Sequence, residues 1–122
     1  VPLLFGTDGV RGRANDELTP EVAVAFGRAV VRTLGTPALL VGRDTRRSSP
    51  MLAAAVCAGA SSEGASVGDL GVLPTPGVAA HAVHLGEPGV VVSASHNPYG
   101  DNGLKVLSAA GRKLDFGVGA GE

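Results

Sequence analysis

The run Gly89–Val92 is uniformly apolar and β-branched after its glycine. A strand with one wet face alternates apolar and polar residues. This run does not, so it predicts a strand inside a parallel or mixed sheet, covered above and below. A second short apolar run at residues 38–41 and a third strand candidate at 67–70 alternate with stretches that carry helix punctuation. Thr19-Pro20-Glu21 opens one of these, with a hydroxyl at the N-cap, proline at the first helical position and a carboxylate facing the positive end of the dipole. That helix is expected to reach Leu34. Its buried stripe reads as Val22, Phe26, Ala29, Val30 and Thr33, with Arg28 and Arg32 off the stripe and Gly35 and Pro37 closing it. Ser48 or Ser49 caps a second helix with Pro50 at N1, and an Ala-rich run carries it to Ser62 before Gly64. Beyond Pro74-Thr75-Pro76, residues 77–85 make a shorter third helix. The alternation predicts an α/β fold, with three or four strands in one mixed β-sheet and helices on both faces, a three-layer α/β/α arrangement.

Composition narrows the function classes. The 122 residues suit one domain with a single core, and 44% hydrophobic content with mean hydropathy +0.26 marks a globular chain. With three Phe, one Tyr and no Trp, that core must be built from Val, Leu and Ala. A formal charge of −1 offers no electrostatic footprint for nucleic acid or an anionic membrane, so the expected partner is a small molecule. Cys57 is the only cysteine, which excludes an internal disulfide, and its Ala-rich setting reads as a buried thiol. No apolar run has the length of a membrane span and no signal-peptide pattern opens the chain, so the expected compartment is cytoplasmic. The first residue is Val, consistent with processing or a fragment edge, and residues 115–122, DFGVGAGE, read as a Gly-rich tail without helical period.

The chemistry-bearing residues cluster after the apolar runs. Ser93, Ser95, His96 and Asn97 follow Gly89–Val92 directly, where open α/β sheets hold ligands beyond the carboxyl ends of their strands. Pro98 stops the run, and Asp101-Asn102-Gly103 reads as a second turn with residues suited to positive φ, delivering Lys105 on a new extended run. A nucleophile and an ammonium then share one pocket. The alternative is a polar connection whose Ser and Asn side chains satisfy their own backbone, and spacing alone leaves both open. Adjacent Ser and His do not imply a Ser-His-Asp triad.

Residues 3–5 read as a short strand leading to a loop at 6–12, with three glycines, Asp8 and Arg11. Such a loop brings backbone close to a phosphate, or is a tight surface turn with Arg11 solvated. Arg43, Arg46 and Arg47 follow the run at 38–41. They form either a solvated basic loop or, if the strands are parallel, part of the same sheet edge as Ser95. His81 and His84 stand three apart, a metal-compatible step with no third ligand nearby.

SASHNP at 93–98 and DNGLK at 101–105 resemble the phosphoserine loop of the α-D-phosphohexomutases, and FGTDGVRG at 5–12 resembles their amino-terminal signature. GRDTR at 42–46 and LGVLPTPGVA at 70–79 extend the similarity over about residues 4–114. FGTDGVRG followed by an LTPE helix start is most similar to the bacterial phosphoglucosamine mutase branch, with the phosphomannomutase and phosphoglucomutase branches as near alternatives. A noncatalytic phosphosugar-binding fragment is a third reading.

The resemblance implies that residues 1–114 are the family's N-terminal domain I and 115–122 a tail. It implies a phosphoserine that interconverts glucosamine 6-phosphate and glucosamine 1-phosphate through a 1,6-bisphosphate, with a hexose 1,6-bisphosphate as activator. By motif position, Ser95 is the phosphorylated residue and, through its phosphoryl group, a Mg²⁺ ligand. Lys105 is the acid/base or charge-stabilising lysine, His96 and Arg11 complete the catalytic set, and Asn97, Arg11 and Lys105 bind phosphate. The implied partners are a hexosamine or hexose phosphate and mutase domains II–IV, with neither nucleic acid nor membrane. The remaining Mg²⁺ ligands belong to an Asp-rich DGD-type loop of the second domain. No such loop occurs in these 122 residues, and the chain alone is expected to be inactive.

Overall fold

A computed structural model of the chain describes residues 9–94 and 97–114. Among them the elements follow as β1 (Val10–Arg13), α1 (Pro20–Leu34), β2 (Ala38–Arg43), α2 (Ser49–Ser62), β3 (Ser66–Val72), α3 (Thr75–Leu85), β4 (Gly89–Val92), β5 (Asp101–Leu107) and β6 (Lys113–Leu114). All strands join one mixed sheet in the order β1-β5-β4-β2-β3, with β6 pairing on β5. Strand β2 runs parallel to β3 and β4, while β5 runs antiparallel to β1, β4 and β6. β1 pairs along residues 101–104 of β5 and β6 along Val106 and Leu107, so the two share one edge.

The two apolar runs at 38–41 and Gly89–Val92 are therefore neighbours in a single sheet, as the alternation predicts. Six strands form where three or four were expected: Val10–Arg13, whose first three residues were read as part of a glycine-rich loop, is strand β1, and Lys113–Leu114 adds β6. The pairing of β1 with β5 uses backbone groups that carry no side-chain signature. The strand expected at residues 3–5 lies outside the described residues, as does the tail at 115–122.

Side chains alternate across the sheet. Leu39, Val41, Val90, Val92, Leu104 and Val106 join a core with α1 and α2, whereas Val91 and Leu107 pack with Val78 of α3 on the other face. Burial on both faces explains the unbroken apolar run of β4, where each valine contributes roughly 1.5–3 kcal/mol.

Helix α1 begins and ends where its local signals predict. The Thr19 side chain accepts a hydrogen bond from the Val22 N–H at 3.2 Å, and Gly35, at φ 59°, closes the helix by donating its N–H to the Val31 carbonyl. The buried face differs from the expected stripe: Ala23, Phe26, Gly27, Val30 and Val31 are buried, while Ala29 and Thr33 are exposed. Packing against α2 causes the rotation. A Cβ on Gly27 would collide with the Val56 carbonyl oxygen, and one on Gly59 with that of Val24. The two glycines thus let the helices approach until backbone meets backbone, and the small residues Ala23 and Gly27 turn inward.

This contact predicts the sign of a substitution. Gly59→Ala gains about 0.8–1.0 kcal/mol of helix propensity, but overpacking against an oxygen that cannot move aside costs typically 1–3 kcal/mol. The expected result is a net loss of stability, read as a lower urea midpoint at unchanged slope. A higher midpoint would mean that the helices separate freely.

Cys57, expected to be buried, is half-buried, and burial, then the charge of Asp69, push its thiol pKa up, away from reactivity. Among the described residues no helix is long and apolar enough to cross a membrane.

Candidate functional site at the carboxyl edge of the sheet

Because β2 and β4 are parallel, both run out at the same edge. There the Asp44 N–H donates to the Val92 carbonyl at 3.0 Å, and the Leu73 N–H to the Arg43 carbonyl at 3.1 Å. The β4–β5 register continues one step further, with the Ser93 N–H donating to the Gly103 carbonyl at 2.9 Å. The segment Asp101-Asn102-Gly103, expected to be a turn with positive φ, is instead the first half of β5. The reversal falls earlier, where the Asp101 N–H reaches the Pro98 carbonyl at 2.9 Å. Gly103 is needed for room. A Cβ there would lie 2.8 Å from the Ser93 carbonyl oxygen and 3.1 Å from Arg11 Cγ.

A polar network centred on Asp44 joins the loops at this edge. Its carboxylate accepts from the Ser49 hydroxyl, from the Arg46 N–H at 3.0 Å and from Arg46 Nη1 at 2.7 Å, and it is also bonded by the Ser93 side chain. Arg46 is itself buried and sends Nη2 to the Asn97 carbonyl at 2.8 Å. Asn102, fully buried, donates to Ser48 Oγ at 2.8 Å and Ser49 Oγ at 2.9 Å and accepts from the Gly103 N–H. These demands alter the expected helix cap. Ser48 holds the N-cap position of α2 but makes no capping bond, and both hydroxyls are engaged elsewhere.

Burial opposes ionisation of Asp44, but the hydrogen bonds from Ser49, from Arg46 and from Ser93 outweigh it and hold its carboxyl below the usual range. A depressed folded-state value gives stability that is complete above the unfolded value, near 3.9, and is lost as pH falls through the lower folded value. The stability gap between the parent and Asp44→Asn is therefore expected to be wide at pH 7 and to narrow toward pH 3, measured by urea unfolding. Glu63, held low by Arg32 and Arg28, titrates in both proteins and cancels. A gap independent of pH would show that the charge of Asp44 contributes nothing.

The sequence-predicted residues are placed unequally. Ser95 and His96 lie outside the described residues. Asn97 sits between two guanidinium groups, its Oδ1 accepting from Arg11 Nη1 at 2.8 Å and its carbonyl from Arg46. Its Nδ2 reaches Asp101 at 3.4 Å. Arg11 lies opposite Gly103, two positions along β5 from Lys105, which lies opposite Val91 and is buried. Ser93, Gly103, Arg11 and Lys105 thus share the α3 face of the sheet, with the Arg11 stem lying over Gly103. Arg11 Nε is buried and has no acceptor among the described residues.

The three arginines at and after the end of β2 have different roles. Arg46 braces the loop, Arg43 Nη1 donates to the Asp44 carbonyl at 3.4 Å, and exposed Arg47 lines a pocket of about 590 Å³ with Ser48, Met51 and Tyr99.

The described residues do not fit a magnesium site. No group of three or more His, Cys, Asp or Glu forms among them, and the Asp44 oxygens are already taken by protein donors. His81 directs Nδ1 to the Gly77 carbonyl at 2.9 Å.

Sequence reasoning missed Asp44, Ser49 and Asn102. One signal was present: an aspartate just past a buried strand with hydroxyls a few residues on, a pattern in which side chains bond nearby backbone and one another. Asn102 had no such signal, since its partners are 53 and 54 residues away.

Residues 2–116 match the family description "Phosphoglucomutase/phosphomannomutase, alpha/beta/alpha domain I". The chain is 58% identical over 113 residues to the phosphoglucosamine mutase of Rubrobacter xylanophilus, covering 92% of this chain and 25% of that protein. It is 55% identical over 121 residues to that of Symbiobacterium thermophilum, covering 93% and 27%. A crystal structure of a phosphoglucomutase/phosphomannomutase family protein from Burkholderia thailandensis superposes with a TM-score of 0.73 at 33% identity, over 88% of this chain and 26% of that one. The chain thus spans about a quarter of the length of the curated relatives it matches.

Proposed function

The chain belongs to the phosphoglucomutase/phosphomannomutase family, as its α/β/α domain I, and from that premise we propose that it supplies the phosphoserine loop of a phosphoglucosamine mutase. In this proposal residues 1–114 are that domain and 115–122 a Gly-rich tail. The observation that carries the reading is the bond from Arg11 Nη1 to Asn97 Oδ1, which joins two motifs 86 residues apart at the carboxyl edge of the sheet. An edge of this kind is where α/β sheets hold their ligands.

In this reading Ser95 carries the phosphoryl group. Its P–Oγ bond breaks, the bond pair staying on Oγ, which takes a proton from a general acid, as a bond forms from phosphorus to O1 of glucosamine 6-phosphate, whose hydroxyl proton passes to a base. The resulting 1,6-bisphosphate then returns its 6-phosphoryl group to Ser95, leaving glucosamine 1-phosphate. A phosphoserine brings about −1.5 to −2 charges, and phosphoryl transfer is promoted mainly by positioning and charge neutralisation. Arg11 and Lys105, on one face of the sheet, provide fixed positive charge there, with His96 next to the serine in sequence. The buried Nε of Arg11, which has no acceptor among the described residues, is a donor suited to an anion. Asn97 acts by holding Arg11 as much as by meeting substrate. The family generally uses Mg²⁺, and one on the phosphoserine would take its other ligands from outside the described residues.

The test uses the completed enzyme, this chain joined to the remaining domains of a phosphoglucosamine mutase relative, incubated with glucosamine 1,6-bisphosphate. Peptide mapping is expected to find phosphate on Ser95. Phosphate on Ser93 alone, or on neither serine, would overturn the assignment.

A further inference from the structure

We infer that Asp44 and Arg46 form a positioning bracket that sets the geometry of the phosphate-accepting loop. The inference rests on the proposed function, because it takes the loop at 93–97 to be the one that is phosphorylated. Strand β4 delivers this loop and Pro98 ends it, so its covalent neighbours fix only its two ends. The bracket grips it from the loop that follows the adjacent parallel strand β2. At the first end, Asp44 is bonded by the Ser93 side chain and donates its own N–H to the Val92 carbonyl. At the other end, Arg46 Nη2 holds the Asn97 carbonyl at 2.8 Å, while Nη1 of the same guanidinium binds Asp44 at 2.7 Å.

One planar fork therefore ties the first grip to the second. Arg46 is 8% exposed, and its Coulomb interaction with Asp44 is screened less than a surface pair would be. Asp44 is anchored in turn by Ser49 at the start of α2, and Ser49 by buried Asn102 on β5. The bracket is thus fixed to a helix and to a strand on the far side of β4. Rigid support of this kind is what a transfer reaction needs, since a displacement near 1 Å can cost about 10²-fold in rate. Neither Asp44 nor Arg46 needs to touch the substrate.

Arginine is specific to the role. A lysine keeps the charge toward Asp44 but has a single nitrogen and cannot hold Asp44 and the Asn97 carbonyl in one plane. The bracket predicts that Arg46→Lys lowers kcat of the completed enzyme on the order of 10–100-fold while KM for glucosamine 6-phosphate moves less than about threefold. The rate of phosphate uptake by Ser95 from the bisphosphate, followed by intact mass, should fall with kcat. Asp44→Asn should do the same with a smaller loss, because the amide keeps an acceptor but loses the charge.

Glu63→Ala is the control for stability alone. It removes the ion pairs with Arg28 and Arg32 at the far end of α2 and touches nothing in the loop. At a temperature where all variants are folded by circular dichroism, Glu63→Ala should keep the parental kcat. If Arg46→Lys and Asp44→Asn also keep it while the parent is phosphorylated on Ser95, the bracket is structural and the inference is wrong, with the proposed function intact. If KM rises and kcat holds, these residues serve binding and the inference is again wrong. A parent that takes no phosphate on Ser95 overturns both.

Discussion

Ser95→Ala in the completed enzyme is expected to lower kcat by roughly 10⁴–10⁶-fold, the scale seen when a covalent nucleophile is removed. The step has no substitute: without Oγ there is no atom to hold the phosphoryl group between its two sugar positions, and the bisphosphate cannot be regenerated. The neighbouring hydroxyl is unsuited to take over. The Ser93 N–H is locked to the Gly103 carbonyl at 2.9 Å and its side chain is bonded to Asp44, so Ser93 belongs to the scaffold of the loop. A coupled assay with glucosamine 6-phosphate, Mg²⁺ and a bisphosphate activator measures the loss. Binding of the sugar phosphate should survive, because Arg11 and Lys105 remain on their strands. Activity within tenfold of the parent would remove Ser95 from the mechanism.

Local signals gave the local structure. Thr19 and Gly35 bound α1 because a capping hydroxyl and a left-handed glycine act through residues three or four positions away. The unbroken apolar run of β4 gave a strand with two covered faces, and the two covering layers followed. What failed was set by distant neighbours. The stripe of α1 was misplaced because Gly27 faces Gly59 of another helix. Gly103 was assigned to a turn because glycine usually means positive φ, whereas here it makes space between Arg11 and Ser93 on neighbouring strands.

The candidate site divides in the same way. Arg11, Asn97 and Lys105 were singled out through motif resemblance, and they lie on or beside β1 and β5. Asp44 and Asn102 were not found, because the network that joins residues 44, 46, 49, 93, 97 and 102 is assembled by a parallel crossover and an antiparallel return that no short window contains. Lys105 is the informative intermediate case. Its position in DNGLK suggested an extended run, but only the register with Val91 and the shared face with Arg11 give that ammonium a direction.

A polypeptide of these 122 residues alone is expected to show no mutase turnover above its own Ser95→Ala control. Uncompensated charge is the reason. A phosphoserine of about −1.5 to −2 charges must approach a second phosphate, and the cationic side chains on the α3 face of the sheet among the described residues are Arg11 and Lys105. The Asp44 carboxylate beside the loop is already bonded by Arg46 and Ser49, and no group of three metal-ligating side chains forms among the described residues. Loss of even one charge-stabilising donor costs roughly 10²–10³-fold in rate, and here several contributions are missing together, since the chain spans about a quarter of its relatives. Weak binding should persist, near millimolar for a sugar phosphate, or about 4 kcal/mol. The purified chain is assayed with glucosamine 6-phosphate, Mg²⁺ and a bisphosphate activator beside its control, and isothermal titration measures the residual binding. Turnover clearly above the control would mean that the chain assembles a complete site by itself, which would place the missing charge compensation within these residues and refute the argument.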